Sequence, residues 1–318
     1  TRIKVIDLSS EEKQIKTSRK HARLASLAKR AEKLTGAVKI KEDKKYKTGD
    51  YLSVRVENPD ACSRYSARIM GEIAVKPSPQ WLRDRLRVCG IQSINNVVDA
   101  ANYIMLETGQ PLHVFDFETL RAKSKTKKII IVRNAKKDET LRALDEKNYS
   151  LTPQTLVIAD EEGVIAIAGM KGGGESGVSE NTATIVLESA HFHSAFIRAA
   201  SQELKLRTDA SIRFENGIDP HQTITALNRL AELIQQIAGG IILHDAIDVY
   251  TRQEKAKEIL FRTEYANRLI GAEIEHEHYH DIFRIIGCTI RTKRKGEFTV
   301  EPPTIRRDLE IEEDLIEE

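Results

Sequence analysis

The sequence predicts a multidomain α+β (mixed α/β) protein: a central mixed-sheet module with flanking helices, followed by a small C-terminal α/β domain. Three observations predict it. Strand-like and helix-like patterns alternate from Ala61 to about Tyr250. A charged connector at 251–257 then gives way to a compact β-α-α-β-β pattern. The 318 residues are enough for two or three separate cores.

The opening "TRIKVIDLS" alternates like a strand, and "SRKHARLASLAKRAEKLTG" places Ala22, Leu24, Ala25, Leu27, Ala28, Ala31 and Leu34 on a helical stripe ending at Gly36. "KIKEDKKYKTGD" reads as a charged linker or hairpin, and "YLSVRVE" as a strand broken by Asn58-Pro59. The first boundary falls there, giving segments 1–58, 59–250 and 251–318. Within the central module, helices are predicted at 79–90 and at 93–107, the second with Ser93 as N-cap. Strands follow at 128–132, 141–144, 156–159, 163–168 and 184–188. Two more helices are expected at 193–204 and 219–238, the latter opened by Asp219-Pro220 and closed by Gly239-Gly240. The last segment offers "EILFR", helices at 263–270 and 276–286, and the strands "TIRTK" and "FTVEP".

A composition of 40% hydrophobic and 31% charged residues is that of a water-soluble globular chain. No apolar run reaches the ~18 residues of a membrane span, and nothing resembles a secretory leader, so a cytoplasmic location without membrane contact is expected. Cys62, Cys89 and Cys288 have no paired spacing, which argues against a disulfide framework or a zinc site. A net charge of +2 hides a basic start and the acidic end "DLEIEEDLIEE".

The stretch "AIAGMKGGGESGV" fits the glycine spacing of a dinucleotide loop at Gly172, Gly174 and Gly177. Such a loop must open a helix, whose N-terminus holds the pyrophosphate. Here a β-branched strand, "TATIVLE", follows instead, so the fingerprint fails its context. Taken alone the glycines read as a flexible connector between strands.

Four separated motifs change that reading: "INNVVDAANYIMLETGQPLHVFD", "AIAGMKGGGESGV", "VLESAHF" and "LRTDASIRFENGIDP". Together they resemble the editing module of the bacterial-type phenylalanine–tRNA ligase β subunit. "FRTEYANRLIGAEI" and "VEPPTIRRDLEIEEDLIEE" resemble the small domain that follows it, and residues 1–58 resemble more loosely the scaffold that precedes it. The complete subunit has further domains for which 318 residues leave no room, so the resemblance implies a fragment unable to aminoacylate alone. It also implies proofreading: hydrolysis of tyrosine wrongly esterified to tRNA(Phe). An apolar pocket that accepts phenylalanine rejects an added hydroxyl by only about a hundredfold, whereas a site that hydrogen-bonds the hydroxyl discriminates by roughly 10⁴ or more.

By that resemblance Glu188 reads the hydroxyl, His113 positions the ester or the attacking water, and Gly169 and Gly172 admit backbone close to the amino acid. Asn102, Pro111 and Ala168 line the pocket, with Ala210 leaving space for a ring. Thr208 either offers its hydroxyl to the substrate or caps the helix beginning near Asp209. Ala101 stands where many relatives have a hydroxyl, and Asn216 where a basic residue is common; each removes an expected polar contact. Asp308, Asp314, Glu317 and Glu318 match a magnesium site shared with the α subunit of an α2β2, ATP-using ligase, while editing itself needs no cofactor. Read from the residues alone, Glu310, Asp314, Glu317 and Glu318 fall on one solvated helix face. Two function classes follow: a hydrolase acting on Tyr-tRNA(Phe), and a non-catalytic tRNA-binding or scaffold portion of the ligase. Nucleic-acid binding through the basic "RTKRK" is a weaker third.

Overall fold

The computed structural model describes residues 40–123, 127–253, 257–294 and 296–318. The expected opening strand and the helix ending at Gly36 lie outside the described residues. The chain divides into two units, 38–253 and a smaller one whose described part is 257–318.

The larger unit begins with β1 (Glu42–Lys47), the one-turn α1 (Thr48–Tyr51), β2 (Leu52–Val56) and β3 (Cys62–Gly71). Helices α2 (Gln80–Val88) and α3 (Asn96–Thr108) lead to β4 (Leu112–Asp116), β5 (Lys128–Asn134), β6 (Thr140–Arg142) and β7 (Asn148–Ser150). Next come β8 (Leu156–Ala159), β9 (Val164–Ile167), the two-residue β10 (Lys171–Gly172) and β11 (Ile185–Phe192). Helices α4 (Ser194–Glu203), α5 (Asp209–Glu215) and α6 (Gln222–Ala238) precede β12 (Ile241–His244) and β13 (Ile247–Tyr250).

Two sheets result. The first has the order β1-β12-β3-β11-β4, with β13 also on β3; the second runs β10-β9-β8-β5-β2. Strand alternation sorts the first sheet's side chains to two faces. Ile185 and Leu187 of β11 and Met70 of β3 pack under α3 and α6 with Val97, Ile104, Leu227, Leu230 and Ile234. Val186, Ala190 and Phe192 of β11, with Tyr65, Ala67 and Ile69 of β3, face the second sheet's Ile130, Val132, Ile158 and Ile165. Glu188 shares the parity of Val186 and Ala190, so its side chain enters the apolar space between the sheets.

Three expectations are corrected. Residues 42–47 form no linker: β1 pairs in parallel with β12, and β2 in parallel with β5, so chain on the near side of the expected boundary at 58 belongs to the larger unit's sheets. Pairing explains this, because Glu42 of β1 bonds both the buried Arg68 of β3 and His244 of β12. The N-cap of α3 is Asn95, not Ser93; its side chain accepts from the amides of Val97 and Val98. Ser93 instead donates to the fully buried Asp99, which also accepts from Ser78 and the Ile94 amide. α6 starts at Gln222, past Asp219-Pro220.

The smaller unit is the expected β-α-α-β-β arrangement: β14 (Ile259–Arg262), α7 (Thr263–Ile270), α8 (His276–Ile285), β15 (Thr289–Arg294) and β16 (Glu297–Glu301), then α9 (Glu312–Glu317). Its sheet runs β14-β16-β15, all antiparallel, over an aromatic core of Phe261, Tyr279, Phe283 and Phe298.

Candidate active site

In the larger unit β4 lies against β11 with His113 directly opposite Glu188. Directly opposed residues point to one face and sit close enough to interact. The turn before β4 fixes this register: Gln110, 1% exposed, donates from Nε2 to the carbonyls of Pro111 and of Ala190 on β11. "GQP" is thus a clamp between the two strands that carry the site.

A cavity of about 70 Å³ opens beside this pair, lined by Pro111, His113, Gly169, Gly172, Glu188 and Ala210 together with Leu112, Ile158, Ala166, Ile167, Met170, Phe192, Phe214 and Lys171, whose ammonium pairs with Asp145. Six of the nine residues expected at the site therefore meet in one place. Thr208 stands just behind the lining: it caps α5 by accepting from the Ser211 amide and donates to the carbonyl of Met170. Its hydroxyl is committed to the fold, so of the two open readings the geometry realises the cap. Ala168 is fully buried in the inter-sheet core, and its amide bonds Leu156. It supports the wall and does not line it. Asn102, half-buried on α3, is also absent from the lining. Ala101 packs with Val97 and Ile104 on the opposite face of the sheet, so a hydroxyl there would meet the helical core and not the cavity. Asn216 is the exposed C-cap of α5.

The glycines have a concrete job. Gly169 sits at φ +69°, in the left-handed region, and a Cβ there would press to 3.0 Å against both Ile197 and Phe214. At Gly172 a Cβ would lie 2.6 Å from Cε1 of His113. What approaches each bare backbone is the protein's own wall; at Gly172 it is the imidazole.

Electrostatically the floor is neutral. Burial pushes the Glu188 carboxyl up to about 8, an effect partly offset by the Tyr65 hydroxyl, which donates to Oε2 at 2.9 Å. Burial pushes His113 down to about 4, and its Nε2 is sealed without a hydrogen-bond partner among the described residues. Near pH 7 most molecules therefore hold an uncharged acid facing an uncharged imidazole. Perturbed titrating groups gathered in a cavity are the usual mark of a functional site.

Tyr65 is the neighbour of Glu188 that sequence reasoning misses. It is fully buried on β3, and the register sets Glu188 against Ala67 and Ala190 against Tyr65, so the phenol reaches the carboxyl diagonally. The alternation of "SRYSARIMG" was the available signal; the pairing of β3 with β11 was not.

The acidic residues of the smaller unit behave differently. Asp308 and Glu318 both bond Arg306, and Asp314 accepts from the amides of Glu310 and Ile311 at the start of α9. Glu317 is exposed, and Glu310 precedes the helix. Among the described residues no three of Asp308, Asp314, Glu317 and Glu318 bring their oxygens within 4.8 Å of one another. An arginine occupies the place between two of them, so this arrangement does not fit a magnesium ion.

The larger unit is thus an α+β module in which a small cavity beside paired strands brings Glu188 and His113 together. The chain belongs to the B3/4 domain family, whose model matches residues 61–239, and the model of the tRNA synthetase B5 domain matches residues 259–318. It is 42% identical over 267 residues to the phenylalanine–tRNA ligase beta subunit of Protochlamydia amoebophila (strain UWE25), covering 84% of this chain and 33% of that protein. The same subunit of Thermotoga maritima is also 42% identical over 267 residues, with the same coverage. The chain thus spans about a third of the length of these relatives. An N-terminal fragment of the phenylalanyl-tRNA synthetase beta-subunit from Pyrococcus horikoshii is 16% identical, with a TM-score of 0.40 over 90% of this chain and 78% of that one. Among the described residues no helix is long and apolar enough to cross a membrane.

Proposed function

We propose that the chain is the proofreading portion of a phenylalanine–tRNA ligase β subunit, in which the cavity between the sheets binds the side chain of tyrosine esterified to tRNA(Phe) and the ester is hydrolysed. One observation carries this reading: a carboxyl 5% exposed, set opposite a neutral imidazole in a small cavity whose other walls are mostly apolar. A polar group so placed has nothing to gain from a plain benzyl ring, which leaves it unpartnered, and gains a hydrogen bond from a phenol. His113, neutral near pH 7, has the protonation state required to accept a proton or orient water, and its low basicity favours the orienting role.

The second reading, a tRNA-binding or scaffold portion without turnover of its own, is supported by the cavity's size. About 70 Å³ is less than the roughly 150 Å³ of an engineered cavity that admits benzene. A phenol enters only if the walls part, a step that the tRNA end or an α subunit in an α2β2 assembly would drive. No step is routed through magnesium, because the carboxylates expected to hold it are engaged by Arg306 and by backbone amides.

Deacylation of Tyr-tRNA(Phe) and Phe-tRNA(Phe) by this chain separates the readings. Preferential loss of the tyrosyl ester, abolished by Glu188→Ala in a protein that still folds, supports proofreading. Equal background rates for both esters reject it in favour of the scaffold.

A further inference from the structure

The Glu188 carboxyl has two oxygens and only one is spoken for. Oε2 accepts from the Tyr65 hydroxyl at 2.9 Å, while Oε1 has no hydrogen-bond partner among the described residues, on a residue that lines the cavity. Tyr65 is 0% exposed and held by the inter-sheet core, so its hydroxyl is aimed by packing and not by solvent. Resting on the proofreading reading above, we propose that Tyr65 is the positioning residue of the pocket: it holds Oε2 as an acceptor and thereby presents Oε1 to the cavity as the donor that reads a ligand hydroxyl.

A neutral carboxyl has one O–H and one carbonyl oxygen. With the phenol donating to Oε2, that atom is the carbonyl and the acid proton sits on Oε1. Burial keeps the group neutral near pH 7. A tyrosine ring then brings an oxygen that accepts from Oε1–H, whereas a phenylalanine ring strands a buried donor. Without Tyr65 the carboxyl is free to turn either oxygen toward the ring or toward His113, and the preference for a hydroxyl falls. Tyr65 touches Glu188 and is not among the residues lining the cavity, so its influence on the ligand is exerted through the carboxyl.

The test compares the full chain with Tyr65→Phe and Glu188→Gln, reading the ratio of Tyr-tRNA(Phe) to Phe-tRNA(Phe) deacylation across pH 6–9 and the carboxyl ¹³C shift of Glu188. Tyr65→Phe should lower the ratio about tenfold, the weight of one hydrogen bond of ~1.4 kcal/mol. It should also raise the Glu188 midpoint, because the lost bond is the influence that lowers it. Glu188→Gln should keep most of the ratio while Tyr65 is present, since the amide places its carbonyl on the phenol and its NH₂ toward the cavity, and should lose it in the double variant. If the unaltered chain distinguishes the esters but Tyr65→Phe leaves both ratio and midpoint in place, the positioning role is wrong and the proofreading reading stands. If the unaltered chain does not distinguish them, the parent reading fails and the ¹³C midpoint still decides whether Tyr65 holds the carboxyl.

Discussion

Glu188 of the larger unit and the carboxylates of the smaller unit do opposite work. In the larger unit Glu188 is buried among aliphatic and aromatic side chains with a neutral phenol as its partner, and it titrates far above the ordinary carboxylate range. In the smaller unit Asp308 beside Arg306, Glu313 beside the Tyr265 hydroxyl and Asp314 beside two backbone amides are all held below that range. The same functional group is a neutral hydrogen-bond donor in one setting and an anion in the other. Enclosure and the charge of the partner decide which, because desolvation penalises the ionised form and a cation or an amide dipole favours it. On the proposed reading the larger unit discriminates by an unpaired polar atom, while the smaller one holds its chain end by an ion pair and by hydrogen bonds to Asp314 and Glu313.

The sharpest way to break the comparison is to fill the glycine wall of the pocket. Gly169→Ala combines a left-handed backbone with contacts of 3.0 Å to Ile197 and Phe214, and should destabilise the larger unit by about 3 kcal/mol. Hydrogen exchange read peptide by peptide should show the loss across 40–253 while 257–318 keeps its protection. Next in size is the effect of pH. A carboxyl raised in the folded state contributes stability that is complete below about pH 4.5 and is lost as pH rises toward 8, so Glu188 weakens the larger unit over that interval. His113, lowered by burial, acts in the other direction and costs stability as pH falls from about 6.5 toward 4. Glu188→Gln removes the first slope and should raise stability above pH 8 by on the order of 2 kcal/mol, seen in urea titrations at pH 5 and pH 9. The smallest effect belongs to the smaller unit. Arg306→Gln frees Asp308, which is largely exposed, and Glu318, and should cost no more than about 1 kcal/mol, most of it screened by added salt.

Much of this was legible in the sequence, for reasons that particular residues make plain. Glu188 fell on an expected strand, but the strand that carries His113, Leu112–Asp116, was not expected; a run of five residues after the "GQP" turn pairs with β11 and brings the two together. The smaller unit reads off directly because its helices and strands have clean periods and short connections. Ala101 was legible but misread: with Val97, Ala100 and Ile104 it completes a helical stripe facing the core, which removes it from the pocket. Asn95, Asn96 and Asp99 look like site residues by type and prove to be scaffolding, capping α3 and tying the chain at 74–78 and Ile237 to it. Tyr65 was hidden because its contact spans 123 positions and exists only through a register. β1 was hidden too, since "EDKKYK" carries no apolar alternation and is a strand only because a parallel neighbour and the Arg68 and His244 contacts make it one.

One measurement bears on the centre of the account: the titration of the Glu188 carboxyl in the unaltered chain, followed by ¹³C shift. A midpoint near pH 8 is predicted, with the carboxyl still mostly protonated at neutral pH. A midpoint in the usual glutamate range, near 4.5, would show an ionised, solvated group and contradict the claim that a neutral acid reads the ligand's hydroxyl.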